Sequence, residues 1–183
     1  MRKILLTSAG FETETIRSVY LALVNKSPAD IKVLFITTAA NFPGAIMVLP
    51  KCMNDLLHTG IPEENICVCD LHQGMTDNEL SAFDTVYFTG GSPQYLLERI
   101  NDTSFNVPLG KFVDNGGVYI GVSAGAIVGA GNLPNNLGYL NATLNVHMQD
   151  GMQDGAFDNA AVTHIDLKDG QAVLIHNGVY QII

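Results

Sequence analysis

A serine flanked by glycines is the residue in this chain best placed to act as a nucleophile. Gly121-Val-Ser123-Ala-Gly125 matches the pattern G-x-S-x-G, with the apolar run Gly117 to Val122 before it and the small apolar stretch Ala124 to Val128 after it. In a strand-to-helix elbow the serine occupies a strained turn, and small neighbours let that turn close while Oγ points outward. The helix that follows brings a positive N-terminus, and the Ala124 amide is placed to donate to an oxyanion. Glycines are common enough for the pattern to arise by chance, but the strand before it and the small-residue helix after it favour an elbow over a structural turn. A second glycine site, Gly90-Gly91-Ser92-Pro93, follows the apolar run Val86 to Thr89. Two glycines at the carboxyl end of a strand let backbone approach a ligand closely, so the Gly91 amide is the candidate second oxyanion donor. Gly90 and Ser92 flank it as candidate substrate contacts.

A hydroxyl is a weak nucleophile near neutral pH, and imidazole is its usual proton acceptor. Of the five histidines, His58 falls in an expected helix well before the elbow, His72 in a loop after an early strand, and His176 beside a hairpin turn. Each reads as surface or packing. His147 and His164 remain.

Elements must bring these residues together. Apolar runs bounded by Gly, Asn or Ser predict buried strands at Lys3–Thr7, Lys32–Thr37, Asn65–Cys69, Thr85–Thr89 and Gly117–Val122, and helical patterns lie between them at Thr13–Asn25, Ala45–Thr59, Thr76–Phe83 and Pro93–Asn101. Thr76 with Glu79 has capping-box spacing and Pro93 suits a first helical turn. This alternation predicts an α/β three-layer sandwich around a mostly parallel sheet, with ligands beyond the carboxyl ends of the strands. Ala172–His176 and Val179–Ile183, joined by Asn177-Gly178, predict a closing antiparallel β-hairpin.

The stretches Phe88-Thr-Gly-Gly-Ser-Pro-Gln-Tyr-Leu-Leu97 and Tyr119-Ile-Gly-Val-Ser-Ala-Gly-Ala126, in this order and separation, resemble the two signatures of the peptidase E (aspartyl dipeptidase) family. That family shares the fold of class I glutamine amidotransferases and carries serine in place of their cysteine. The likeness extends through Thr7-Ser8 and Phe35-Ile-Thr-Thr-Ala39 and covers most of the chain. It implies Ser123 as nucleophile, the Gly91 and Ala124 amides as oxyanion hole, and small peptides, those with N-terminal Asp among them, as substrates; no cofactor or metal is expected. Leu140 to Val146 resembles the segment leading into the family's catalytic histidine, which makes His147 the base and leaves His164 in reserve. The resemblance also implies an acid between nucleophile and histidine, yet Ala124 through Val146 contains no Asp or Glu, and Gln149 stands where amidotransferases carry a Glu. Asn135 or Asn136 could orient the imidazole through a side-chain carbonyl, as in Cys-His-Asn sites, and Asp150 or Asp154 by folding back. Asn136 is the third member expected here. An incomplete triad keeps a second reading open, a noncatalytic relative that binds peptides or metabolites. A third is a related hydrolase resembling cyanophycinase.

Met148 to Asn159 departs from the family, being short, glycine-rich and acidic, and reads as a flexible loop. Asp150, Asp154 and Asp158 within it miss the EF-hand pattern and its terminal Glu. Cys67 and Cys69, two apart on an expected strand, read as packing residues.

The 183 residues, 47% hydrophobic, suit one domain. A net charge of -9 opposes binding to a phosphate backbone. Three cysteines without paired spacing point to a reducing compartment, the cytoplasm by default. Ile4-Leu5-Leu6 is too short for a signal sequence, and no apolar stretch approaches the roughly 20 residues of a membrane span. A homodimer through a sheet edge or the hairpin stays open.

Overall fold

The computed structural model describes residues 2–183. Along the chain run β1 (Lys3–Thr7), α1 (Glu14–Val24), β2 (Val33–Ile36), α2 (Pro43–Ile46), α3 (Leu49–His58), β3 (Ile66–Cys69), α4 (Asp77–Leu80), β4 (Thr85–Phe88), α5 (Pro93–Asp102), α6 (Asn106–Asp114), β5 (Val118–Val122), α7 (Ala124–Ile127), β6 (Thr143–Met148), β7 (Gly155–Phe157), β8 (His164–Lys168), β9 (Ala172–His176) and β10 (Val179–Ile182). Eight strands form one sheet in the order β3-β2-β4-β5-β1-β9-β10-β7. The first five are parallel, and β9, β10 and β7 are added beside them through antiparallel pairings, each to its neighbour. β6 and β8 pair separately, in parallel.

The central strands are apolar throughout because both faces are covered: every residue of β2, β4 and β5 is buried. On one face Phe88, Tyr119, Leu96 and Leu109 join α5 and α6 to the sheet. On the other Phe11, Tyr20, Phe35 and Leu56 join α1 and α3. This is the three-layer α/β sandwich expected, and Asn177 and Gly178, both at positive φ, make the two-residue turn of the expected hairpin.

Four segments differ from expectation. The helix expected over 45–59 is two helices, because Pro50 lacks an N–H and clashes with a preceding turn anywhere but in a first turn; α3 starts at Leu49 with Pro50 in that position. The helix expected at 76–83 is the single turn α4, with its capping box formed. α6 was not expected, because Pro108 and Gly110 interrupt its apolar period, although Pro108, Leu109, Phe112 and Val113 are buried. Met148 to Asn159 is tied down: β7 pairs with β10, Met152 N–H donates to Asp166 O at 2.8 Å, and the buried Gln171 amide donates to Met152 O and Asp154 Oδ1 at 2.8 and 2.6 Å. Cys67 is exposed and Cys69 partly buried.

The carboxyl ends of β1, β4 and β5 lie side by side, since β5 pairs with both neighbours in parallel register. Ser8, Gly90 and Ser123 therefore leave the sheet at the same edge.

Candidate active site

The elbow is built from backbone packed too closely for a side chain at either of its glycines. Ser123 has φ 48° and ψ -102°, a region costly for a residue with a Cβ. It is held there by its N–H donating to Thr7 O at 3.0 Å and by its own carbonyl accepting from the Ala126 and Ile127 amides, each at 3.0 Å. A Cβ on Gly121 would stand 2.3 Å from Gly125 O, and one on Gly125 2.6 Å from Phe88 Cβ. The buried Tyr119 hydroxyl donates to Gly125 O at 2.6 Å, fixing the first turn of α7 against β5.

Gly91, at φ 141°, packs so closely on the loop after β2 that a Cβ would lie 2.0 Å from Ala39 O. Gly90 faces the serine, where a Cβ would be 3.4 Å from Ser123 Cβ. Among the described residues neither the Gly91 nor the Ala124 N–H has an acceptor within the protein. Two free amides beside a hydroxyl can hold an oxyanion. Ser92 is placed otherwise than expected. Its hydroxyl accepts from Tyr95 N–H at 3.3 Å and caps α5, and it is not among the residues lining the cleft at Ser123.

His147 arrives from the small second sheet. Between the Asn145–Asp166 and Met148–Lys168 pairs β6 advances three residues against two on β8, a bulge that sets His147 at φ 59°. Bulges re-aim a side chain, and this one leaves His147 Nε2 3.1 Å from Ser123 Oγ. The other ring nitrogen, Nδ1, is 2.7 Å from Asp169 Oδ1. Asp169 follows β8 in the turn into β9, where Gln171 N–H donates to Lys168 O and Ser8 N–H to Gln171 O, both at 3.1 Å. The buried Ser8 hydroxyl joins the two: it accepts from His147 N–H at 2.8 Å and donates to Asp169 Oδ1 at 3.0 Å.

Asn136 does not reach this site. Its amide donates to Leu133 O at 2.7 Å and its Oδ1 accepts from Gly138 N–H at 2.8 Å, so it closes a local turn, while Asp169 occupies the place beside His147 Nδ1. Asn135 accepts at its carbonyl from Asn101, and Asp154 is held by Gln171. His72 pairs with Asp70 at 2.9 Å, and His164 stands on β8 opposite Thr143. Sequence reasoning missed Asp169 and Ser8. The signal for Asp169 was an Asp-Gly turn closing a short β-prone run, which carries no chemistry by itself.

A cleft of about 400 Å³ opens at Ser123, with Glu12, Phe42, Val48 and Lys51 in its walls. Lys51 Nζ donates to Ala9 O and Glu12 Oε1, each at 2.7 Å; burial works to lower its pKa, but Glu12 and Asp55 outweigh it and the pKa is raised. Beneath it burial pushes the Asp55 carboxyl up, against the Phe11 amide that donates to it at 2.9 Å. Burial also raises the Cys52 thiol. No three His, Cys, Asp or Glu side chains gather as a metal set among the described residues, and none of their helices is long and apolar enough to cross a membrane.

The model of peptidase family S51 matches residues 4–138. The chain resembles the crystal structure of a candidate peptidase E protein from Listeria monocytogenes EGD-e (TM-score 0.73, 18% identity, covering 100% of this chain and 97% of that one). It also resembles that of a peptidase from an acI-B1 actinobacterium (TM-score 0.67, 17% identity, 100% and 87% covered). At such identities the likeness is one of fold. No curated protein sequence matches. The family match takes in Ser123 and both glycine sites and ends before His147 and Asp169.

Proposed function

The chain belongs to peptidase family S51, and from that premise we propose that it is a serine peptidase of small peptides whose nucleophile, base and acid are Ser123, His147 and Asp169. The observation that carries the proposal is the continuous line Ser123 Oγ to His147 Nε2 at 3.1 Å and His147 Nδ1 to Asp169 Oδ1 at 2.7 Å. Asp169 holds the tautomer with the proton on Nδ1, so Nε2 is free to take the proton of Oγ as it attacks the substrate carbonyl. Negative charge developing on the carbonyl oxygen falls to the Gly91 and Ala124 amides. His147 then gives its proton to the leaving amine. Water, deprotonated by the same nitrogen, releases the acyl group from Ser123.

The order Ser, His, Asp along the chain accounts for the missing acid between nucleophile and base: the carboxylate comes from beyond the histidine. Three free thiols fit a cytoplasmic setting, where thiols stay reduced, and the charge of -9 fits a peptide rather than a nucleic-acid substrate.

The test is labelling by a fluorophosphonate together with turnover of a dipeptide and aminoacyl-nitroanilide panel. Labelling and turnover in wild type that vanish in a folded Ser123→Ala variant support the proposal. A folded wild type that does neither overturns it and favours a noncatalytic peptide-binding relative.

A further inference from the structure

The loop Ser8 to Glu12 carries the hydroxyl that holds His147 and Asp169, and it is tied to α3, a helix the proposed mechanism does not use. Lys51 and Asp55 lie four residues apart on α3 and so share one of its faces. Lys51 Nζ donates to Ala9 O at 2.7 Å. Asp55 Oδ2 accepts from Phe11 N–H at 2.9 Å and from the Tyr87 hydroxyl at 3.4 Å. The loop lies directly on this carboxylate: Gly10 has φ 89°, and a Cβ there would stand 2.2 Å from Asp55 Oδ2. Gly10 N–H closes the start of the loop on Thr7 Oγ1 at 3.0 Å.

A carboxylate is costly in this position. Asp55 is partly buried, burial raises its pKa, and among the described residues no Lys, Arg or His forms an ion pair with it. Withdrawing an ionised group from water without a contacting counter-ion lowers stability, and packing alone would be served by an apolar residue. What the carboxylate supplies is an acceptor for a loop amide three residues from Ser8.

Ser8 passes that placement on. Its Oγ stands between His147 N–H at 2.8 Å and Asp169 Oδ1 at 3.0 Å, so a shift of the loop moves the hydroxyl and the base with it. We infer that Asp55 is a positioning residue: by fixing the loop after β1 on α3 it sets the Ser8 hydroxyl and, through it, the place of His147 beside Ser123. The inference rests on Ser123 and His147 acting as proposed above.

The experiment compares kcat and KM on the nitroanilide panel, and the rate of fluorophosphonate labelling, in Asp55→Ala, Asp55→Asn, Ser8→Ala and the double variant Ser8→Ala with Asp55→Ala, each checked as folded by circular dichroism. Asp55→Ala is expected to lower kcat and labelling about ten- to a hundredfold with KM little changed, the cost of displacing a base by about 1 Å. Both bonds fall on Oδ2, so an amide with its oxygen there accepts them too, and Asp55→Asn recovers most of the loss. Effects that run through a shared partner do not multiply, so the double variant is expected within about twofold of the slower single variant. A rate unchanged in Asp55→Ala, no recovery in Asp55→Asn, or a double variant slowed by the product of the two single losses overturns the inference and leaves the serine mechanism standing. Should Asp55→Ala not fold, Lys51→Ala, at a half-exposed position, applies the same test through the other tie. A labelling loss that disappears in the Ser8→Ala background supports the inference, and a loss that persists there, or none at all, overturns it. Wild type that neither labels nor turns over overturns both.

Discussion

Ser123 and the glycines after β4 are held by backbone packed on backbone, whereas His147 and Asp169 are held by the hydroxyl of Ser8. On the first side the contacts are steric: Gly121 against Gly125, Gly125 against Phe88, Gly91 against Ala39, all where a single added carbon would collide. On the second side they are polar and lie at the surface, with the His147 and Asp169 side chains 49% and 58% exposed. Steric fixation is local and specified by residue type, so it leaves a sequence pattern. Fixation through one hydroxyl joins residues 139 positions apart and leaves none. The two halves should therefore fail differently when altered, the first by losing the fold and the second by losing rate in a folded protein.

Removing the charge of the proposed acid has the largest expected effect. Asp169→Asn leaves the site sterically intact but presents the wrong tautomer or an uncompensated imidazolium, and kcat falls by about four decades. Circular dichroism and the melting temperature stay near wild type, because both side chains of the pair are half exposed and such pairs add little stability. Unchanged kcat would assign the acid elsewhere. Gly121→Ala tests the other half. Its Cβ would face Gly125 O across the elbow with no flexible atom able to yield, and the loss is about 3 kcal/mol of stability, the upper part of the overpacking range. Urea unfolding reads this directly, and a variant as stable as wild type would show that the elbow relaxes.

Ser8→Ala probes the link between the two. It leaves the His147 N–H without its acceptor and Asp169 without one donor, and a displacement of the base by about 1 Å is enough to cost a hundredfold. We expect kcat to fall about ten- to a hundredfold with KM little changed. A purely structural role would lower the melting temperature and leave kcat of the folded fraction intact.

The comparison also says what could be read before the structure. The strands of the parallel sheet are apolar runs because they are buried on both faces, the elbow needs glycine at 121 and 125 where a Cβ would collide, and the hairpin turn has asparagine and glycine at positive φ, so each was visible in residue types. α6 was hidden by Pro108 and Gly110, which weaken its period without stopping it from packing on α4. β6 and β8 carry the polar–apolar alternation of half-buried strands, Thr143-Leu-Asn-Val-His-Met148 and His164-Ile-Asp-Leu-Lys168, a period-2 signal that continuous apolar runs do not reveal, and β7 at three residues is too short to separate from a loop. Asp169 was hidden because its role depends on β9 returning to β1. Only that pairing places the turn after β8 next to Ser8.

The smallest expected effect is at Asn136, the residue that chain order favoured as the imidazole's partner. Its two hydrogen bonds close the turn around Leu133 to Gly138 on a stretch that is mostly partly exposed. Replacing it with alanine removes local bonds of the side-chain-to-backbone kind, each contributing about 0.5–1.5 kcal/mol. Asn136→Ala should therefore lower stability by about 1 kcal/mol and leave kcat, KM and fluorophosphonate labelling unchanged. The contrast with Asp169→Asn is the useful quantity, since two polar residues after the elbow would differ by orders of magnitude in rate. If Asn136→Ala lost rate as Asp169→Asn does, the segment before His147 would be moving into the site during turnover, and the division between a backbone-built half and a hydroxyl-held half would have to be redrawn to include it.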